Sequence, residues 1–431
     1  MAKPPPLAFL TLLGGLCGLL AASAALVFRW TIEDGQRLFL PGGVIGNYEN
    51  LPAWAVLTLP TLGGLLLGGL LQRLPAGWRQ VGIMHVLVAM QRGERPRLPA
   101  ANAVVQFCAG AVAIISGQSV DREGPSVHLG ATLGNQLGHS LFQGPSIYVL
   151  TACGAAAAIA AAFNTPLAGV FFVIEVLRIE YRFERFMPII TASVVGALLG
   201  RLWYGQAPAF ALAAVAPDTT ADLPILMVLG TVTGLLAVGF VDLTRRCSHW
   251  LQPWRLPLRF ALAGLVTGSV GLIAPQVLGI SYDTLETLLA EELAVSLLLS
   301  LLLGKLLATS LAIGAGLPGG LIGPSLIMGG AAGSLLGVIG PEALGPTLHP
   351  PSFYATIGMI AMLSAVLQAP MTSLLALLEL TGEPAIILPG LVAVVIADLI
   401  SRKLLGRGSV FDHLRRLTSQ RRQSQQADER R

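Results

Sequence analysis

Long apolar runs follow one another along almost the whole of this 431-residue chain, at 7–28, 52–72, 101–118, 146–177, 187–204, 223–241, 258–279, 293–314, 320–339, 353–380 and 385–400. Only 12% of the residues are charged against 54% hydrophobic, too little polar surface to keep a chain of this size in water. Continuous runs near twenty residues read as membrane helices, so the expected fold class is an all-α polytopic membrane protein. Because the apolar residues run on without alternating, a transmembrane β-barrel is disfavoured. Several runs are too long for one span and several too short. With 50 Gly and 28 Pro, that predicts broken, tilted and re-entrant helices.

The N-terminus resembles a signal peptide in outline, with Lys3, an apolar stretch 7–20 and then A-A-S-A-A. Leu16 before Cys17 is too bulky for a lipoprotein cleavage site, and the segment is read as a first, uncleaved helix. Cys17, Cys108, Cys153 and Cys247 show no metal-ligand spacing and read as packing residues. The six His form no cluster along the sequence. No cofactor or metal is expected.

Basic residues set the expected orientation. Arg92, Arg95 and Arg97 share one loop; Arg178, Arg182 and Arg185 share another; Arg245, Arg246, Arg255 and Arg259 form a third. The segments 205–222 and 338–352 hold no Lys or Arg. The basic loops and the C-terminal tail are therefore expected in the cytoplasm of a prokaryotic cell, with the chain integral to the inner membrane. The basic residues are not interleaved with aromatics on a soluble face, so nucleic acid is not an expected partner.

An internal repeat divides the chain. Gly154 precedes Pro166 by 12 (166 − 154) and Glu175 follows it by 9 (175 − 166); Gly358 precedes Pro370 by 12 (370 − 358) and Glu379 follows by 9 (379 − 370). G-P-S recurs at 124–126 and 323–325, with glycines at +5, +9 and +13 from each proline. Glycines at that spacing form a helix face that lets backbones approach closely in lipid. Two such halves imply inverted-topology repeats with a transport site between them. The expected boundaries are 1–205 for the first membrane repeat, 206–222 for an external linker, 223–417 for the second repeat and 418–431 for a polar tail.

Glu123, in D-R-E-G-P-S at 121–126, lies between strongly apolar segments. An acidic residue at a membrane-helix centre costs roughly 2.5–3.5 kcal/mol on insertion scales. Gly124 and Pro125 follow it at once, which is helix-start composition. A helix N-terminus favours an anion, so Glu123 reads as a tethered anion competing with a mobile one. The plain alternative is an acidic residue in the first turn of an interfacial loop. G-G-L-I-G-P at 319–324 opens the counterpart helix in the second repeat.

With these pieces in order, the chain resembles the CLC family of chloride channels and proton-coupled chloride exchangers from about residue 8 to 417. D-R-E-G-P is similar to the family's G-[K/R]-E-G-P, with Asp121 in place of Gly. G-L-I-G-P at 320–324 resembles its G-x-F-x-P, with Ile322 in place of Phe. G-S-V-F-D at 408–412 resembles the segment carrying the family's central tyrosine, with Phe411 there. Q-V-G-I-M at 80–84 is the best placement of its G-S-G-I-P element. The resemblance implies a homodimer in the lipid bilayer with one pathway per subunit for a small inorganic anion, chloride or similar. It implies Glu123 as the gating glutamate, in an anion site when ionised and swung aside when protonated. It implies anion contacts from Val81, Gly82, Ile83, Arg122, Gly124, Leu321 and Ile322, with Phe411 lining the inner gate. Read without the family, Leu321, Ile322 and Phe411 are ordinary packing residues.

The departures bear on mechanism. Val81 stands where the family usually has a chloride-ligating serine, and Phe411 lacks the phenolic hydroxyl. Losing a hydrogen bond to a charged group costs on the order of 1.5–3 kcal/mol, so weak chloride binding or another anion is open. Val176 stands where exchangers carry an inner acid. Glu180 and Glu184 are the candidate substitute proton route, or else charges on the cytoplasmic face. Glu175 and Glu379, matched across the repeats, read as structural partners of buried N–H or Arg groups. Beside anion transport, coupled to protons or not, two readings of other classes stand. An intramembrane enzyme using Glu123 as general acid lacks a second catalytic partner, since His128 points to another helix face. A scaffold or receptor with a vestigial pore fits the lost ligands.

Overall fold

The apolar pattern resolves into sixteen α-helices in a computed structural model that describes residues 5–91, 93, 95–205, 222–344, 349–404 and 409–411. Arg92, the linker expected at 206–222 apart from Asp222, Gly408, Asp412 and the tail expected at 418–431 lie outside the described residues. In chain order the helices are α1 (Leu7–Phe39), α2 (Ala53–Arg73), α3 (Gly82–Met90), α4 (Ala100–Ile115), α5 (Glu123–Leu141), α6 (Ser146–Phe163), α7 (Pro166–Glu175) and α8 (Phe183–Tyr204). The second set is α9 (Leu223–Leu251), α10 (Leu256–Gly271), α11 (Tyr282–Ala290), α12 (Val295–Ala315), α13 (Ile322–Leu344), α14 (Pro351–Leu367), α15 (Pro370–Thr381) and α16 (Ile387–Asp398), which runs on as a π-helical turn, Leu399–Leu404. Eight of the helices are long and apolar enough to cross a membrane.

The two sets of eight correspond in order and form inverted-topology repeats. Within each set the first, sixth and eighth helices pack together, α1 with α6 and α8, and α9 with α14 and α16. Between sets, α2 packs on α10 and α7 on α15. Two of the long apolar runs, 146–177 and 353–380, are each two helices. The break falls at Asn164 in one and Gln368 in the other, both in the left-handed conformation at φ 59° and 55°. A proline opens the next helix in both cases, Pro166 and Pro370. Both breaks are tied to a late arginine: Arg201 Nε donates to Asn164 Oδ1 at 2.7 Å, and Arg402 donates to the Gln368 carbonyl. The apolar runs passed over α3, α5 and α11. Two of these are nine residues long, and α5 carries a polar first turn.

Glycine makes the core. On α5, a Cβ at Gly134 would fall 2.0 Å from the Leu150 carbonyl oxygen of α6, and one at Gly154 would fall 1.9 Å from the Gly130 oxygen. In the second repeat, a Cβ at Gly333 would fall 2.0 Å from the Tyr354 oxygen, and one at Gly358 would fall 2.3 Å from the Gly329 oxygen. The paired helices therefore touch backbone to backbone. In lipid, where apolar burial supplies no drive between helices, such close van der Waals packing is what holds them. Cys17 and Cys153 are buried as expected, and Cys17 Sγ lies 3.3 Å from the Leu150 oxygen. Cys247 is half-buried and packs against the core as expected, whereas Cys108 is exposed.

A single methyl group tests this contact. Gly154→Ala should destabilise the folded protein by about 1–3 kcal/mol or more, because backbone cannot yield as a side chain does. Gly69→Ala, whose added Cβ meets nothing within 4 Å, should be neutral or slightly stabilising. Thermal melting of both variants in detergent reads the difference; equal melting temperatures would remove the backbone contact as the organising element.

Candidate functional site

Three helices begin near one another inside the protein: α5 at Glu123, α13 at Ile322 and α3 at Gly82. The first two are locked together. Asp121 and Gly320 form an antiparallel bridge, with Asp121 N bonding the Gly320 oxygen at 3.1 Å and Gly320 N bonding the Asp121 oxygen at 3.0 Å. The Asp121 carboxylate Oδ1 accepts from the N–H groups of Glu123 (3.0 Å) and Gly124 (3.3 Å). Its Oδ2 accepts from Gly323 N–H, across the repeat, at 2.7 Å. Close approach again needs glycine: a Cβ on Gly320 would lie 1.8 Å from Asp121 Oδ1. At α3, Gly82 has φ +79°, a left-handed backbone that glycine adopts without strain. Val81 before it is extended.

Glu123 is fully buried. Neither of its carboxylate oxygens has a hydrogen-bond partner among the described residues. Arg122 Nε lies 3.6 Å from Glu123 Oε1, and the Asp121 carboxyl is a second charged neighbour. Arg122 also turns toward Glu33 of α1, Nη1 to Oε1 3.3 Å, and its guanidinium lies 5.3 Å from the Tyr282 ring centroid. Arg29 and Tyr204 complete that cluster around Glu33. The buried Tyr282 hydroxyl interacts with the Glu123 side chain, though no partner stands within 3.5 Å among the described residues.

A cavity of about 700 Å³ reaches this junction from one side. Its wall brings together Val81, Gly82, Ile83, Gly124, Leu321 and Phe411. Ile322 and the Arg122 and Glu123 side chains lie beyond that wall. Arg79 and Arg259 line the cavity, and no carboxylate does among the described residues. A concave surface bearing two cations and no acid concentrates anions. The first N–H groups of a helix have no acceptor within it, so the starts of α3 and α13 present donors here. Val81 and Phe411 bring none from their side chains, whereas Ser248 on α9 contributes a hydroxyl to the same wall.

Glu175 and Glu379 are structural caps placed reciprocally. Glu175, ending α7, accepts from Met371 N–H (3.0 Å), Thr372 N–H (2.7 Å) and the Thr372 hydroxyl (2.6 Å) at the start of α15. Glu379 of α15 accepts from Leu167 N–H (2.8 Å) and Ala168 N–H (2.9 Å) at the start of α7. Val176 is buried at the end of α7. Glu180 and Glu184 are exposed; Glu180 pairs with Arg182 at 3.2 Å and lies 3.9 Å from Arg185. They are not brought to the helix starts.

Sequence spacing missed two polar features. His85 and His128, 43 residues apart, meet with Nδ1 and Nε2 2.9 Å apart, so the histidines are not all dispersed. Lys305 sits fully buried inside an apolar run, its Nζ donating to the Gly279 carbonyl at 2.9 Å. Lys305 was visible as a lone cation in α12, but its acceptor is a loop carbonyl with no sequence signature. The reciprocal caps yield a stability test. Glu175→Ala leaves three donors at the start of α15 unmet, at up to about 1–3 kcal/mol for each one kept from water, and should lower the melting temperature clearly. Glu175→Gln, which keeps an acceptor oxygen, should lower it less; the opposite ranking would deny the capping role.

Comparison with known proteins agrees with this geometry. Residues 63–402 match the family model described as voltage gated chloride channel. A putative chloride channel protein ClcB-like of Ralstonia nicotianae is 32% identical over 415 residues, 93% of this chain and 95% of that protein. The voltage-gated ClC-type chloride channel ClcB of Escherichia coli is 31% identical over 422 residues, 93% of this chain and 97% of that one. Among solved structures, a slow cyanobacterial Cl−/H+ antiporter superposes with a TM-score of 0.82 at 20% identity, covering 96% of this chain and 99% of its own. A CLC-type fluoride/proton antiporter gives 0.80 at 20% identity, with the same shares of the two chains. At that identity the two structures speak for the fold.

Proposed function

Because this chain belongs to the voltage-gated chloride channel (CLC) family, we propose that it carries chloride or a related small anion across a prokaryotic inner membrane, along a path gated by Glu123. The observation that carries the gate is a fully buried carboxylate with no hydrogen-bond partner within 3.5 Å among the described residues, one residue before Gly124 in the cavity wall. A buried charge without donors is costly, so this side chain has reason to move or take up a proton. Ionised, it obstructs the path; protonated, it swings aside. The central anion is bound by first-turn N–H groups of Leu321, Ile322, Gly82 and Ile83. The protein works as a homodimer with its C-terminus and the Arg79–Arg259 cavity on the cytoplasmic side. Both bacterial relatives are described as chloride channels, which supports the anion.

Transport is uncoupled from protons or only loosely coupled. Val176 cannot carry a proton, and Glu180 and Glu184 stand on the surface, the first among arginines. The competing reading is a proton-coupled exchanger that uses one of them as a substitute inner acid. A vestigial pore that passes nothing is the third outcome the experiment distinguishes.

Two measurements on purified protein in liposomes test this reading. Glu123→Gln, a mimic of the protonated form, should change anion flux severalfold and flatten its pH dependence; wild-type flux and pH response in that variant would sink the gate. For coupling, an imposed chloride gradient with a pH probe should show little uphill proton movement. Robust pumping that disappears in Glu180→Gln or Glu184→Gln would establish the exchanger, and an absence of any anion flux would establish the vestigial pore.

A further inference from the structure

One polar pair beside the cavity has no part in gating or capping. His85 of α3 lines the cavity wall, and its Nδ1 lies 2.9 Å from Nε2 of His128 on α5. His128 is fully buried, and its other nitrogen, Nδ1, has no hydrogen-bond partner among the described residues. A bond between two imidazoles needs one N–H and one lone pair at the contact. The neutral pair therefore holds one proton between the rings and keeps one basic nitrogen at an outer end. With the contact proton on His85, that nitrogen is Nε2 of the ring that lines the cavity. A proton from cavity water adds there, and the mutual bond survives. A second proton would set two cations against each other across 2.9 Å, so the pair takes one proton and not two.

Whether the pair is charged depends on what surrounds it. Arg79 and Arg259 stand in the same cavity wall. The start of α3, at Gly82, lies one turn before His85, and a helix start carries partial positive charge. α3 holds no other ionisable side chain. α5 adds Glu123, five residues before His128 (128 − 123), and His139 in its last turn, beside the Pro96 carbonyl. Of the helices packed against α5, α1 brings Cys17 and the Arg29–Glu33 cluster, α4 the exposed Cys108, α6 Tyr148 and Cys153, and the described side chains of α13 none. No carboxylate among the described residues lines the cavity to offset its arginines. An empty cavity thus opposes a charge on the pair, and an anion in the cavity removes that opposition. We propose that the His85–His128 pair is a proton-binding site that fills when an anion enters the cavity, so that anion and proton bind this face of the protein together. By reciprocity the proton raises anion affinity by the factor that the anion raises proton affinity, so anion binding strengthens as pH falls. The proton enters and leaves by the cavity; the linkage lies in binding and needs no proton transport. This inference deepens the anion-transport reading and rests on it.

The test uses the full-length protein with bromide as probe, in the Glu123→Gln background, where the gate side chain takes up no proton of its own. Titration calorimetry in two buffers of different ionisation heat counts the protons taken up with bromide. Uptake approaching one proton per bromide is expected in the range where histidine titrates, with bromide affinity roughly five- to tenfold higher at about pH 6 than at about pH 8. Adding His85→Gln and His128→Gln together should abolish both the uptake and that gain. Uptake undiminished in the variant lacking both histidines, or bromide binding without uptake in its parent, overturns the proposal. A second measurement replaces no histidine: with isotope-labelled histidine, bromide at constant pH should shift ring-nitrogen resonances from imidazole toward imidazolium, relative to gluconate. Unmoved resonances overturn the proposal even where the variant lacking both histidines does not fold. Wild-type bromide flux in liposomes is scored separately. Flux without proton uptake on binding defeats this inference alone, whereas an absence of both bromide binding and flux defeats the transport reading and this inference with it.

Discussion

A helix that begins inside a bilayer leaves backbone N–H groups with no water to bond, and each must be given an acceptor or left facing a cavity. The broken helices of this protein meet that constraint in two ways. The starts of α7 and α15 are closed by glutamates from the opposite repeat, Glu379 and Glu175. The starts of α5 and α13 are closed together by Asp121. At the Gly82–Ile83 turn the donors lie beside a cavity lined by Arg79 and Arg259. An anion path here is a matter of which helix starts are capped and which are not.

Such an arrangement requires the helices around it to be held rigidly, and side-chain packing alone would keep their axes too far apart. Gly130 with Gly154, and Gly329 with Gly358, bring backbone against backbone in both repeats. The same economy of volume appears where Gly320 meets Asp121 and where Gly124 meets Gly320. The fixed dipoles of the helix starts are thereby held in place beside the cavity.

Much of this architecture was legible in the sequence because its causes are local or periodic. Apolar runs marked the membrane spans, and the G-P-S and glycine series marked α5 and α13 as counterparts. The matched Glu175 and Glu379 announced structural partners, and the reciprocal caps are those partners. The bridge between Asp121 and Gly323 was not legible. Asp121 looked like a departure at a glycine position, and nothing in its neighbours shows that its carboxylate spans 202 residues of sequence to a second helix start. The His85–His128 pair was hidden for the same reason: two lone histidines on different helices carry no spacing signal. Breaks inside 146–177 and 353–380 were foreseen from length, but the hydrogen bonds that tie Asn164 and Gln368 to Arg201 and Arg402 of later helices carry no sequence signal. Glu180 and Glu184 were considered for their distance along the chain from Val176, yet that distance leads out to the surface.

The exchange of caps between α7 and α15 has a bearing on how the protein is made. When the ribosome has delivered α7, the carboxylate that satisfies Leu167 and Ala168 is still some two hundred residues away, on Glu379. Glu175 in turn waits for Met371 and Thr372. The first half therefore enters the membrane with an open helix start and a half-buried acid that have no mutual remedy. Both debts are cancelled in one event, the docking of the second half. Biogenesis of this fold is thus bipartite but not modular: each half is a folding template for the other, and neither is a finished unit before they meet.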